Sequence, residues 1–169
     1  MKNHIIISLL ILSVGLSQQE YDYDDIMEVK GLWYLKFSDE LVDGYVYLHY
    51  KERKILLGLM IKGLKEGKWT TWSSSGLKEF EGGFLNGKEI GLHIYYWTKG
   101  DNHKWFEYHY SNYLKNGKFK RYGPLGKLEE EGTYKDDKKV GIWKRYEFSY
   151  RINETTIITT NCDEEPCND

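Results

Sequence analysis

The apolar positions of this chain fall into short, aromatic-rich runs separated by glycine-marked turns, and the runs recur. One pattern returns four times: glycine, any residue, an aromatic, two residues, a second aromatic. It appears as Gly67-Lys68-Trp69-Thr70-Thr71-Trp72 and as Gly91-Leu92-His93-Ile94-Tyr95-Tyr96. It returns as Gly117-Lys118-Phe119-Lys120-Arg121-Tyr122 and as Gly141-Ile142-Trp143-Lys144-Arg145-Tyr146. The copies step by 24, 26 and 24 residues, and His93 fills an aromatic slot with another flat ring. The residues between also align: Gly82-Gly83-Phe84-Leu85-Asn86-Gly87 runs parallel to Gly132-Thr133-Tyr134-Lys135-Asp136-Asp137, with Gly58 opening an earlier copy. Agreement at many positions with one period marks a repeat architecture.

Each copy reads as a β-hairpin. The first strand holds the Trp/Tyr pair, and a turn follows at Ser73–Gly76 or Gly123–Gly126. A second strand carries Phe84 or Tyr134, and a tighter turn at Asn86-Gly87 or Asp136-Asp137 leads onward. Asn-Gly supplies the positive φ angles that two-residue hairpin turns require. The expected fold class is therefore all-β, an elongated single-layer antiparallel β-meander of hairpin repeats over residues 31–152. Trp69 and Trp72 are three apart and so point to opposite faces, as do Trp143 and Tyr146. A ring on one strand is expected to lie over a glycine on its neighbour, which would tie Gly67, Gly82, Gly91, Gly117, Gly132 and Gly141 to the aromatics. The ends need caps. Gly31-Leu32-Trp33 and Tyr45-Val46-Tyr47 are candidates at one end. Thr155–Thr160, folded back across Arg151–Glu154, is the candidate edge strand at the other.

Composition agrees: fifteen Tyr, six Trp and six Phe stand beside seventeen Gly and two Pro, a strand-and-turn vocabulary. The first 17 residues read differently. Lys2, the apolar run Ile5–Leu12 and small residues up to Ser17 have the layout of a secretory signal peptide, with a run too short to span a bilayer. The expected location is outside the cytoplasm, periplasmic or secreted. Residues 18–30 are acidic, and 153–169 combine the capping strand with an acidic tail; both acidic ends read as solvated. Between them, residues 29–161 carry 23 basic and 17 acidic residues, so peripheral contact with an anionic surface is a partner to weigh. Nothing in the charge pattern points to nucleic acid. Cys162 and Cys167 are the only cysteines, and in an exported chain they read as a local disulfide. Asn153-Glu154-Thr155 fits the glycosylation acceptor pattern.

The units Glu81-Gly82-Gly83-Phe84-Leu85-Asn86-Gly87-Lys88-Glu89-Ile90-Gly91-Leu92-His93 and Glu131-Gly132-Thr133-Tyr134 through Gly141-Ile142-Trp143 resemble MORN repeats, in the bacterial variant found in proteins labelled YwqK-like antitoxins. The resemblance covers about residues 43 to 148 and is good in two copies. It implies a curved single-layer antiparallel sheet that binds proteins or membranes. The antitoxin label fits poorly with a leader that would separate the chain from a cytosolic toxin.

The sequence carries no convincing catalytic signature. Ser75-Gly76-Leu77-Lys78 matches a Ser-x-x-Lys spacing but falls in a predicted turn, and no cofactor or metal motif is present. His93, His103 and His109 share one copy, with His93 in a structural slot. Glu129-Glu130-Glu131 reads as a solvated edge. The expected function is that of a non-enzymatic binding or scaffold module for a protein or envelope component, with a carbohydrate or cell-wall ligand as one alternative and, by the family label, an antitoxin or immunity-type role as another. Packing is expected to occupy Trp69, Trp72, Phe84, Tyr122, Tyr134, Trp143 and Tyr146. The binding candidates are Tyr95, Tyr96, Trp97 and Trp105, crowded where the second step lengthens to 26 residues.

Overall fold

The computed structural model describes residues 19–149, 154–163 and Cys167. The expected leader and Asn153 lie outside the described residues, as does the tail apart from Cys162, Asp163 and Cys167. The strands are β1 (Gln19–Asp22), β2 (Ile26–Val29), β3 (Leu32–Leu35), β4 (Gly44–Tyr50), β5 (Arg53–Ile61), β6 (Leu64–Trp72) and β7 (Lys78–Leu85). They continue as β8 (Lys88–Tyr96), β9 (Lys104–Ser111), β10 (Leu114–Tyr122), β11 (Leu128–Lys135), β12 (Lys138–Ser149) and β13 (Glu154–Asn161). Among the described residues a single 3-10 turn, Tyr23–Asp25, interrupts them. The chain is all-β. Eleven strands form one open sheet in the order β1-β4-β5-β6-β7-β8-β9-β10-β11-β12-β13, and from β4 onward every neighbour is antiparallel. At ~4.8 Å between strands the sheet runs about 48 Å.

The two ends of each hairpin are built differently. At one end sit two-residue turns with both residues at positive φ: Lys62-Gly63, Asn86-Gly87, Asn112-Tyr113 and Asp136-Asp137. Such turns match the twist of the strands they join. Their backbone N–H groups reach back to the preceding copy, Gly87 to the Lys65 carbonyl at 2.9 Å and Asp137 to that of Lys115 at 3.1 Å. At the other end lie wider turns, closed by Ser73 N–H to Leu77 O and by Gly123 N–H to Lys127 O. Between Trp97 and His103 that turn is two residues longer, which accounts for the 26-residue step.

The glycines serve two separate purposes. Gly58, Gly82 and Gly132 lie under rings: a Cβ there would stand 2.4 Å from Trp69, 2.7 Å from His93 and 2.2 Å from Trp143. Gly67, Gly91 and Gly141 have nothing within 4 Å of that position, and Gly117 meets only the root of His109, its Cβ at 3.0 Å and Cγ at 3.6 Å, which corrects the expectation for them. They sit at positive φ, 68°, 70°, 124° and 63°. In β8, β10 and β12 this glycine falls where three residues oppose one on the preceding strand and the ladder slips. The kink lets the strand re-enter register two residues on, a bulge that an L side chain would strain.

The N-terminal segment is not a solvated tail. Tyr21 and Ile26 are buried with Val42, Val46, Met60 and Trp69 in the larger core, and Trp33 and Leu35 pack against it. Asp22 pairs with His49 and Glu20 with Lys54. Strands β2 and β3 form their own two-stranded sheet, so Leu32-Trp33 belongs to a capping hairpin and not to the repeat. Trp33 ties it to the meander through N–H to Gly63 O at 2.9 Å. At the far end β13 pairs with β12 over eight unbroken positions. Cys162 and Cys167 form a disulfide beside the last turn, where the Cys162 N–H donates to Gly141 O and Gly141 N–H to Asp163 Oδ1. The acidic run Glu129–Glu131 is no edge: β11 lies inside the sheet, Arg121 binds Glu129 and Glu130 at 2.8 and 3.1 Å, and Tyr146 donates to Glu131 at 2.7 Å.

Candidate functional site

Along one face the first aromatic of each copy is buried: Trp69, His93, Phe119 and Trp143. Burial in a single layer comes from rings stacking on glycine and on each other, as in the contacts of Phe119 with Trp143 and Tyr134 at 5.2 and 5.7 Å between centroids. His93 belongs to this row for a reason beyond flatness. Its Nε2 lies 2.8 Å from Gly83 O, and Trp69 Nε1 donates to Leu59 O at 3.0 Å. Both carbonyls follow the glycine beneath the ring, so the imidazole reproduces the indole N–H. That makes Nε2 the protonated nitrogen, and burial holds the His93 pKa below its ordinary value. His109 is bound to Lys118 O through Nδ1, and His103 lies against Gly126 and near Asp101, so each histidine has its own structural partners.

On the opposite face the second aromatic meets a carboxylate. Tyr96 donates to Glu81 at 2.5 Å, Tyr122 to Glu107 at 3.3 Å and Tyr146 to Glu131 at 2.7 Å. The Tyr96 phenol is pushed up by burial and by the Glu81 charge. Glu81 is in turn held below the usual carboxylate range, by that phenol first and by Lys78 and Lys68 after it. In the first copy both partners change together: Trp72 replaces the tyrosine, and Leu57, also fifteen residues back, replaces the glutamate.

Tyr95, Tyr96, Trp97 and Trp105 come together. With Glu79, Thr98 and Lys99 they line a hollow of about 390 Å³ at the wide-turn end of β8–β9. Trp97 is fixed twice, by its backbone N–H to His103 O at 2.8 Å and by Nε1 to Tyr122 O at 3.1 Å. Asn102 closes the turn with Nδ2 to Trp97 O and Lys78 O. Trp105 faces Trp97 at 4.8 Å between centroids and remains 39% exposed. It owes that position to a bulge: Tyr95 pairs with Phe106 and Tyr96 with Lys104, leaving Trp105 outside the ladder. The same bulge recurs at Glu79 in β7 and Glu129 in β11. Sequence reading found the aromatic cluster; it missed Glu79, whose only signal is its alignment with Trp105, 26 residues on.

Compared with protein-family models, curated proteins and solved structures, the chain finds no match in any of the three.

Proposed function

We propose that this protein is an exported, non-enzymatic binding module, built from MORN-like hairpin repeats, that engages a protein or envelope component through the aromatic hollow of its longest turn. The observation that supports this reading most is Trp105, exposed yet held by a bulge against a doubly anchored Trp97. An aromatic presented on a rigid frame loses little conformational freedom on binding, which is why such side chains dominate interfaces. Trp105→Ala is the informative change, because the indole of Trp97 also holds the turn. Cross-linking of the purified chain to envelope proteins of its source organism is expected to fall at least tenfold in Trp105→Ala, with far-ultraviolet circular dichroism unchanged. Equal cross-linking by the variant would overturn the proposal. The same hollow favours one alternative, a carbohydrate: a sugar ring can stack on Trp105 while Glu79 accepts from its hydroxyls. Retention on a peptidoglycan or polysaccharide resin, lost in Trp105→Ala, selects that ligand class.

A further inference from the structure

A second hollow, of about 470 Å³, lies where the N-terminal cap meets the first repeat. Tyr23 of the 3-10 turn, Tyr50 at the end of β4 and Trp72 at the end of β6 line it, and Leu48 and Leu57 add apolar surface. Asp24 and Glu79 also line it, with no lysine or arginine among the lining residues, in a body that is otherwise net basic. Among the described residues neither carboxylate forms an ion pair. Lys36 takes the backbone carbonyl of Asp24 and leaves its carboxylate free. His49, the one basic ring at the rim, is already paired with Asp22.

Three further observations place the charge at the aromatic wall. The Tyr23 phenol is pushed up by burial and then by Glu28, Glu79 and Asp24, so both lining carboxylates act at that hydroxyl. Glu79 is the bulged residue of β7: Thr71 pairs with Phe80 and Trp72 with Lys78, which frees its side chain from the ladder. Lysine ammonium groups already approach two of the rings, Lys51 at 5.3 Å from the Tyr50 centroid and Lys78 at 5.8 Å from that of Trp72. Lys78 also donates to Glu81 at 3.3 Å.

We propose that this hollow binds an organic cation, a primary or quaternary ammonium group on a small molecule, between Tyr23, Tyr50 and Trp72 and the carboxylates of Asp24 and Glu79. Ring faces attract weakly hydrated cations, and an unpaired carboxylate beside them adds a counter-charge that sodium, more strongly hydrated, exploits less well. The site is separate from the hollow at Trp105, and the two share only Glu79.

The test titrates choline and n-butylammonium into the full chain at constant ionic strength, with tryptophan fluorescence as readout and the neutral carbon isostere of choline, 3,3-dimethyl-1-butanol, as control. At least one ammonium is expected to saturate and the alcohol is not; the stronger of the two identifies the quaternary or primary class. Glu79→Gln and Asp24→Asn are each expected to weaken binding about fivefold. Trp105→Ala is expected to leave it unchanged, which separates this site from the one under Proposed function. Should Glu79→Gln unfold, as read by circular dichroism, the surface change Asp24→Asn carries the test. Absence of saturation by either cation, equal binding of the alcohol, or full affinity in the folded carboxylate variants would overturn the proposal.

Discussion

The second and fourth copies set a ring over a glycine; the third sets a ring over a ring. His93 covers Gly82 and Trp143 covers Gly132, leaving no space for a Cβ. At the same offset in the third copy Phe119 meets Tyr108, 5.1 Å between centroids. The tyrosine is accommodated because the ring above it is a phenyl and not an indole. Volume removed from one strand has been returned by its neighbour, which is how a close-packed layer tolerates change. The first copy, Trp69 over Gly58, follows the glycine rule. Thus the repeat conserves the filled space between adjacent strands and not the identity of either residue.

The largest expected effect breaks the glycine side of the comparison. Gly132→Ala would place a methyl group 2.2 Å from the Trp143 ring, whose N–H is already buried without a partner among the described residues. A loss of about 3 kcal/mol in unfolding free energy by urea titration is expected. Phe119→Trp tests the other side: the indole overpacks Tyr108 and costs about 2 kcal/mol. In a Tyr108→Gly background the same change is expected to stabilise, since it rebuilds the arrangement of the other copies; a double-mutant cycle measures the coupling.

The imidazole in the second copy adds a pH dependence that phenyl and indole lack. Burial lowers the His93 pKa in the folded state, so below about pH 6.5 the unfolded chain takes up a proton that the folded chain refuses. Stability is full above that pH and falls as the solution is acidified, with a slope limited to about 1.4 kcal/mol per pH unit. Urea midpoints measured from pH 7.5 to 5.5 are expected to decline, and His93→Phe to flatten the decline. The smallest effect concerns the tight turns. Tyr113 holds φ at 68° where its counterpart Gly87 stands at 76°. Tyr113→Gly removes left-handed strain, offset in part by the greater freedom of glycine when unfolded, for a net gain of about 0.5 kcal/mol. Thermal denaturation reads it.

The repeat period, the hairpin turns and the aromatic slots are legible in the amino-acid sequence, because each depends on spacing along one chain. Gly82 and Gly132 lie under rings as their spacing suggests, while Gly91 and Gly141 share the period for another reason. Sequence alone does not separate a glycine under a ring from a glycine at a bulge, since both occur once per copy. The Tyr–Glu pairs are hidden likewise: Tyr146 and Glu131 stand fifteen residues apart and meet only when two strands are in register.

What the sequence by itself determined is the one-dimensional part of this protein: an all-β meander of hairpin repeats whose longest turn, Trp97–His103, gathers aromatic residues. Period and turn chemistry are local and survive being read in isolation. What only the tertiary structure decided is which residues share a surface. It turned the acidic N-terminal segment into a folded cap, moved Tyr45–Tyr47 from the expected cap into β4 of the main sheet and placed Glu129–Glu131 inside that sheet. It also aimed Glu79 and Trp105 into hollows through bulges. A slip in register changes the direction of a side chain without changing a letter of the sequence, and both candidate binding sites depend on such slips.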